Sequence, residues 1–145
     1  MRQIKFRGKD LETGDWVYGD LEIHRKDSRR LIHSYNADGG YNRQYDVDEE
    51  TIGQFTGILD DSDTEIWEGD IVRMTDRPYN LVDIGKVIYN ARIGHYSLEV
   101  VKGNWTGRYD FIKSDIVNDG NARVPVTYLY EVIGNKYDNP ELLEQ

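Results

Sequence analysis

Apolar side chains in this chain recur at every second position in short runs, and turn residues interrupt most runs before they reach helical length. Tyr96, Leu98 and Val100 alternate with Ser97, Glu99 and Lys102, and Ile4 and Phe6 alternate with Lys5 and Arg7. A period of two belongs to strands with one face on a core, because successive Cβ atoms point to opposite faces of a sheet. Eleven tyrosines and fourteen glycines against three prolines fit the same reading, since aromatic rings suit a pleated surface and glycines make tight turns. The chain is expected to be mainly β.

Ile4 and Phe6 predict a first strand that buries its even positions and exposes a cationic edge. Thr13-Gly14-Asp15 is a turn, Trp16 to Ile23 a second strand paired to the first, and Leu31-Ile32 a third. A polar loop begins at Asn36, and residues 36 to 50 are expected to be the most mobile segment. From Ile52 a second group of strands runs through Ile58, a solvated acidic loop Asp60-Asp61-Ser62-Asp63, Ile66-Trp67, the turn Glu68-Gly69-Asp70, and Ile71-Val72. Val82 and Ile84 share one parity and Val87 and Tyr89 the other, which predicts a β-bulge at Gly85. Gly103 to Gly107 turns the chain back toward Tyr109 and Phe111.

By analogy, Gly69-Asp70-Ile71-Val72 followed by Gly85-Lys86-Val87-Ile88-Tyr89 is the pattern of a small SH3-like barrel, here over about residues 52–112. It is expected to join an N-terminal antiparallel hairpin or sheet. Ile112 and Ile116, four apart, predict one short helix over Phe111 to Val117. Val124 to Ile133 is apolar on both parities and reads as a central strand covered on two sides. Asn139 as N-cap, Pro140 and Glu141 predict a C-terminal helical turn that presses Leu142 and Leu143 onto the body. Residues 1–145 read as one domain, divisible into β subdomains 1–50 and 51–145.

Two blocks also carry a resemblance. One is Gln54-Phe55-Thr56-Gly57 with Glu65-Ile66-Trp67-Glu68-Gly69-Asp70-Ile71-Val72, and the other runs from Val132-Ile133-Gly134-Asn135-Lys136-Tyr137-Asp138-Asn139-Pro140 to Glu141-Leu142-Leu143. With Arg2, Ile4-Lys5-Phe6-Arg7 and Trp16-Val17-Tyr18-Gly19, their order and separation resemble the YopX family, small proteins encoded mainly by phages and prophages. The chain departs from that pattern at Gly8-Lys9-Asp10 and in the extra acids before Glu65. The resemblance implies a phage or prophage accessory protein acting in the cytoplasm of a bacterial host cell. It implies no catalytic residues, because the family's molecular role is uncharacterised.

Composition narrows the chemistry further. The absence of cysteine excludes a disulfide framework, a thiolate zinc site and a cysteine nucleophile, and fits a cytosolic protein. The opening Met-Arg-Gln-Ile-Lys-Phe-Arg lacks the apolar core of a signal peptide, and no run is apolar enough for a membrane span. A net charge of −9 opposes attraction to a polyphosphate backbone. His24, His33 and His95 lack the spacing of common metal motifs, although His24 and His33 can meet across a hairpin. Asp61, Asp63 and Glu65 start like a calcium loop, but Ile66 stands where glycine is needed and Val72 where glutamate is needed. No phosphate-binding loop or nucleophile elbow is present, and carboxylate pairs such as Asp60 and Glu68 are expected by chance among twenty-seven acids. No catalytic residue, metal ligand or cofactor is expected.

Aromatic residues at turns are the remaining resource. Trp105, with Arg108 and Tyr109 close behind it, stands among Asn104, Thr106 and Gly107, so its ring either closes the barrel mouth or is presented to a partner. The leading functional reading is a noncatalytic protein-interaction module using Trp105, Arg108 and Tyr109, with a protein of phage or host as partner. The alternative is single-stranded nucleic-acid binding through Lys5, Arg7 and Lys9 or through Arg25, Lys26, Arg29 and Arg30. A third reading is an enzyme with an unrecognised carboxylate site. Open sheet edges would also let a second copy of the chain pair with the first.

Overall fold

The computed structural model describes residues 1–144, and the chain divides into two compact units, Met1–Gly57 and the part from Ile58 onward. Both are antiparallel β.

The first unit contains β1 (Phe6–Lys9), β2 (Trp16–Ile23), β3 (Arg30–Tyr35), β4 (Tyr41–Asp46), a 3-10 turn over Glu49–Thr51, and β5 (Gly53–Leu59), which carries the chain across the division. Its strands lie in the order β4-β3-β2-β1-β5. Leu31, Ile32, Val47 and Phe55 are buried. The side of β1 expected to be its cationic edge is instead covered. Ile4 is 62% exposed, while Arg7 is 6% exposed, with its guanidinium 4.5 Å from the centroid of the Trp16 ring. Lys9, which pairs with Trp16 in the register, brings its ammonium within 5.5 Å of the same ring, and Lys5 lies 4.9 Å from the Phe55 ring. Long cationic stems cover apolar surface well, and their heads gain from the ring quadrupole, so these odd positions face aromatic rings.

The polar loop that begins at Asn36 is short, and residues 41–46, within the span expected to be most mobile, form a strand. The turn is confined to Asn36–Gly40, closed by Asn36 N–H to the Gly40 carbonyl at 2.7 Å, and Tyr41–Asp46 forms an edge strand against β3. Tyr35 and Tyr41 stack with centroids 5.0 Å apart, a cross-strand aromatic pair that accounts for the strand.

The second unit contains β6 (Glu65–Trp67), β7 (Asp70–Arg77), β8 (Val82–Asn90), β9 (His95–Lys102), β10 (Gly107–Asp110), β11 (Ser114–Asp119), β12 (Ala122–Asn135) and a 3-10 turn over Pro140–Leu143. The sheet order is β10-β9-β8-β7-β12-β11, so strands adjacent in sequence, β10 and β11, form opposite edges. In a flat sheet those edges would stand five spacings apart, roughly 24 Å. Asp110 and Ser114 are joined through Phe111, Ile112 and Lys113, a link that spans at most roughly 14 Å when extended. The sheet must therefore curl into a half-barrel. Ile66, Val72, Met74, Val87, Leu98, Val100 and Tyr130 fill its concave side.

The bulge falls where Gly85 predicts it, but the extra residue is on the partner strand: Ile84 pairs with Lys102 and Gly85 with Val100, leaving Val101 over. Asp83, Gly85 and Val87 all stay buried on one parity, so β8 itself does not switch face. A Cβ at Gly85 would lie 2.7 Å from Leu98 Cγ, which is why no larger residue fits there.

Three further expectations are corrected. Phe111–Val117 is not a helix, since residues 114–119 form β11. Gly120, at φ 61°, makes the two-residue turn that joins β11 to β12, and Ile112 and Ile116 are exposed. β12 lies inside the sheet between β7 and β11, but Thr127 and Glu131 are exposed, so one of its faces is open. The strands expected within residues 52–112 do not complete their sheet there, which continues through β12 to Asn135. The C-terminal turn forms, although Asn139 does not cap it with its side chain. Its Oδ1 instead accepts the Asn135 N–H at 3.2 Å.

Candidate interaction groove

The curl leaves a groove of about 400 Å3 between the two sheet edges, lined by Trp105, Arg108, Tyr109 and Asp110 on one side and by Ile112, Asp115 and Val117 on the other. Met74, Tyr128 and Tyr130 make its floor. All three residues singled out as a partner surface, Trp105, Arg108 and Tyr109, thus line one concavity.

Asp83 builds one wall. It is 1% exposed, and its Oδ1 accepts the N–H groups of Asn104 at 2.5 Å and Trp105 at 3.0 Å. Gly103 makes this approach possible: its φ is 139°, and a Cβ there would stand 2.1 Å from Asp83 Oδ1. The Tyr109 hydroxyl donates to the Thr106 carbonyl at 2.9 Å, fixing the far end of the same loop. Trp105 is therefore held by its backbone while the residue stays 50% exposed. It borders the groove without sealing it.

Arg108 is an ion-pair partner within the chain. Its Nε and Nη2 both reach Glu99 Oε1 at 3.3 Å, and Glu99 also meets Lys86 Nζ at 3.1 Å. The hydrogen bond from Lys86, opposed by burial and aided by Arg108, holds the Glu99 carboxyl below its ordinary range.

Tyr130 holds the linker between the two edges. Its hydroxyl donates to the Ile112 carbonyl at 2.7 Å and accepts the Ile112 N–H at 3.2 Å. Burial pushes its pKa up to about 12, because a phenolate loses more by desolvation than a phenol. Past the end of β11, the edge of β12 is closed by acids. Tyr130 N–H donates to Asp61 Oδ2 at 2.6 Å and Val132 N–H to Asp60 Oδ2 at 2.9 Å. Asp60 Oδ1 also accepts from Ser62 and Thr64. The acidic run expected to be a solvated loop is thus partly a clasp, with Asp60 5% exposed. Burial alone would raise the Asp60 pKa, but the three backbone N–H groups prevail and hold it below its ordinary value. That shift is the opposite of what a general acid at neutral pH requires.

The cations of the nucleic-acid alternative do not form an open basic face. Arg7 is buried, and Lys5 and Lys9 lie over rings. Arg29 pairs with Asp27 at 2.8 Å, and Arg30 with Glu49 at 3.1 Å. Arg25 and Lys26 are exposed in the turn between β2 and β3. His24 and His33 do converge, on Glu22, at 3.4 and 2.6 Å. Among the described residues, no three His, Asp or Glu side chains are grouped to hold a metal ion. Nor is any helix long and apolar enough to cross a membrane.

The family model described as YopX protein matches residues 5–144, which takes in every groove residue. The chain belongs to the YopX family. No curated protein matches it. Sequence reading missed Ile112, Asp115, Val117, Tyr128 and Tyr130 as groove residues, chiefly because it placed a helix where β11 lies. The signal that could have found them is the Asp119-Gly120-Asn121-Ala122 turn, whose glycine and asparagine suit a two-residue hairpin.

Proposed function

We propose that the protein is a noncatalytic interaction module of phage or prophage origin, acting inside the bacterial cell, and that it binds a protein partner through the groove around Trp105. One observation carries this reading. A half-exposed tryptophan borders an apolar, tyrosine-lined concavity on a loop whose backbone is held by a fully buried aspartate. An aromatic side chain on a pre-ordered loop beside a concave apolar surface spares the cost of ordering the loop on binding, and tryptophan is among the residues enriched in interface hot spots. The strand pattern around Gly69 and Gly85 also supports an SH3-like reading of the half-barrel, by analogy alone. The test compares wild type with Trp105→Ala and Val117→Asp as bait in lysates of prophage-carrying bacteria, with circular dichroism to show that all three are folded. A partner retained by wild type and lost by both variants is the expected result. Identical capture by all three would overturn the reading.

A further inference from the structure

The unit from Ile58 onward leaves one strand edge whose hydrogen-bonding phase can be worked out. Tyr128 N–H donates to the Lys113 carbonyl at 2.9 Å, so Tyr128 and Lys113 form a bonded pair. Bonded and non-bonded pairs alternate along an antiparallel ladder. Asp115 with Val126, Val117 with Val124 and Asp119 with Ala122 are then the bonded pairs of the β11–β12 register. The backbone N–H and C=O groups of Ser114, Ile116 and Asn118 point away from β12. Pro125, opposite Ile116, has no N–H to offer and agrees with this phase. The Ile116 N–H donates to the carboxylate of its neighbour, with Asp115 Oδ1 at 2.7 Å.

This edge carries the acids Asp115 and Asp119 but none of the lysines or prolines that most strongly protect strands at a sheet margin. Its midpoint is Ile116, 55% exposed, and β11 contains no lysine, arginine or proline. The edge is also self-complementary. If it meets its own copy antiparallel about an axis at Ile116, all three outward residues find partners: Ile116 opposite Ile116, Ser114 opposite Asn118, and Asn118 opposite Ser114. Asp115 then lies opposite Val117 and not opposite another acid, and Lys113 lies opposite Asp119. No like charges stand directly opposite one another, and Lys113 meets an acid, as favourable cross-strand pairing requires.

We infer that β11 is a homodimerisation strand, pairing antiparallel with β11 of a second copy about a twofold axis at Ile116, which joins the two half-barrel sheets into one. Asp115 is the local competitor: its carboxylate covers the Ile116 N–H in the free chain and swings aside when the partner's carbonyl takes its place. This goes beyond the groove reading, and Asp115 and Val117 belong both to the groove wall and to the pairing strand.

The experiment measures molar mass by light scattering across a hundredfold concentration range, alongside cross-linking in a chain that has no native cysteine. Wild type is expected to move from monomer to dimer as concentration rises. Ile116→Pro removes an N–H that does not bond to β12, so it is expected to stay folded and weaken the dimer by roughly tenfold or more. Asp115→Ala removes the competitor and is expected to tighten it. Directly opposed bonded residues stand about 5.5 Å apart at Cα, within disulfide reach. Ile116→Cys should therefore cross-link to itself on mild oxidation. Ser114→Cys alone should not, but should cross-link when mixed with Asn118→Cys. A protein that remains monomeric at every concentration, or cross-linking that ignores this register, would overturn the inference.

Discussion

The backbone N–H of Lys136 donates to the carbonyl of Gly69 at 2.9 Å, joining the two sequence blocks that carry the family resemblance. Around that bond, Asn135 stands opposite Asp70 in the register of β12 with β7, and a Cβ on Gly69 would lie 3.1 Å from the Tyr137 ring. The blocks, far apart in sequence, are two halves of one structural joint. Asp70, 2% exposed, accepts the Trp67 N–H at 2.8 Å and completes the turn. Asp70→Ala leaves a buried donor unsatisfied and is expected to destabilise the protein by about 1–3 kcal/mol, measured by urea unfolding. It should leave partner capture intact wherever the variant is still folded.

Asp60 gives acid sensitivity with a definite sign. Its folded pKa lies below the ordinary 3.8, so its contribution is fully present above that value and is lost as pH falls through the folded pKa. Wild type is expected to lose stability on acidification below about pH 4. Asp60→Asn should be less stable at neutral pH and show a shallower decline over that window. Asp60→Ala, which removes acceptors for Ser62, Thr64 and Val132, is expected to cost about 1.5–3 kcal/mol. Unfolding curves for the three proteins at pH 7 and at pH 3 check both statements.

Much of the fold was legible because period-two alternation, glycines and turn dipeptides act locally. Tyr96 to Val100 is a strand as its pattern demands, and the bulge falls beside Gly85, where Leu98 packs against the place a Cβ would take. The groove was legible only on its β10 side, where Trp105, Arg108 and Tyr109 announce themselves by composition. Its other side was hidden because Ile112 and Ile116 have helical spacing, and nothing in a period count shows that both stay exposed and belong to no shared helical face. Burial of Arg7 depended on Trp16 across the hairpin, so charge alone pointed the wrong way. The role of Asp60 rests on Val132, which is 72 residues away, a pairing that no local pattern contains.

The wall of the groove depends on Asp83. Asp83→Ala removes the acceptor shared by Asn104 and Trp105, and the loop from Gly103 to Thr106 is expected to open. Lys102 and Arg108 flank that loop and provide the readout: trypsin should cleave beside them faster in Asp83→Ala than in wild type. Asp83→Asn keeps one carbonyl acceptor and should fall between the two. Equal cleavage rates in all three proteins would show that the loop is held by other means.

Tyr130 ties the two sheet edges together from beneath, and its phenol can be tested by both deletion and titration. Tyr130→Phe keeps the ring against Phe111, whose centroid is 5.2 Å away, but removes both bonds to Ile112. The linker then loses its anchor, at an expected cost of about 1–3 kcal/mol. The pH dependence follows from the direction of the shift. With the folded pKa raised from 10.0 to about 12, the contribution of the neutral phenol is complete below pH 10 and declines as pH rises through that interval. Tyr79 and Tyr128 are also shifted upward, Tyr79 by its bond to Asp119 and Tyr128 by burial, so wild type alone cannot isolate the effect. The difference between wild type and Tyr130→Phe does so: their stability gap should be constant below pH 10 and narrow above it. A gap that stays constant through this interval would mean that the phenol at position 130 ionises as it would in the unfolded chain.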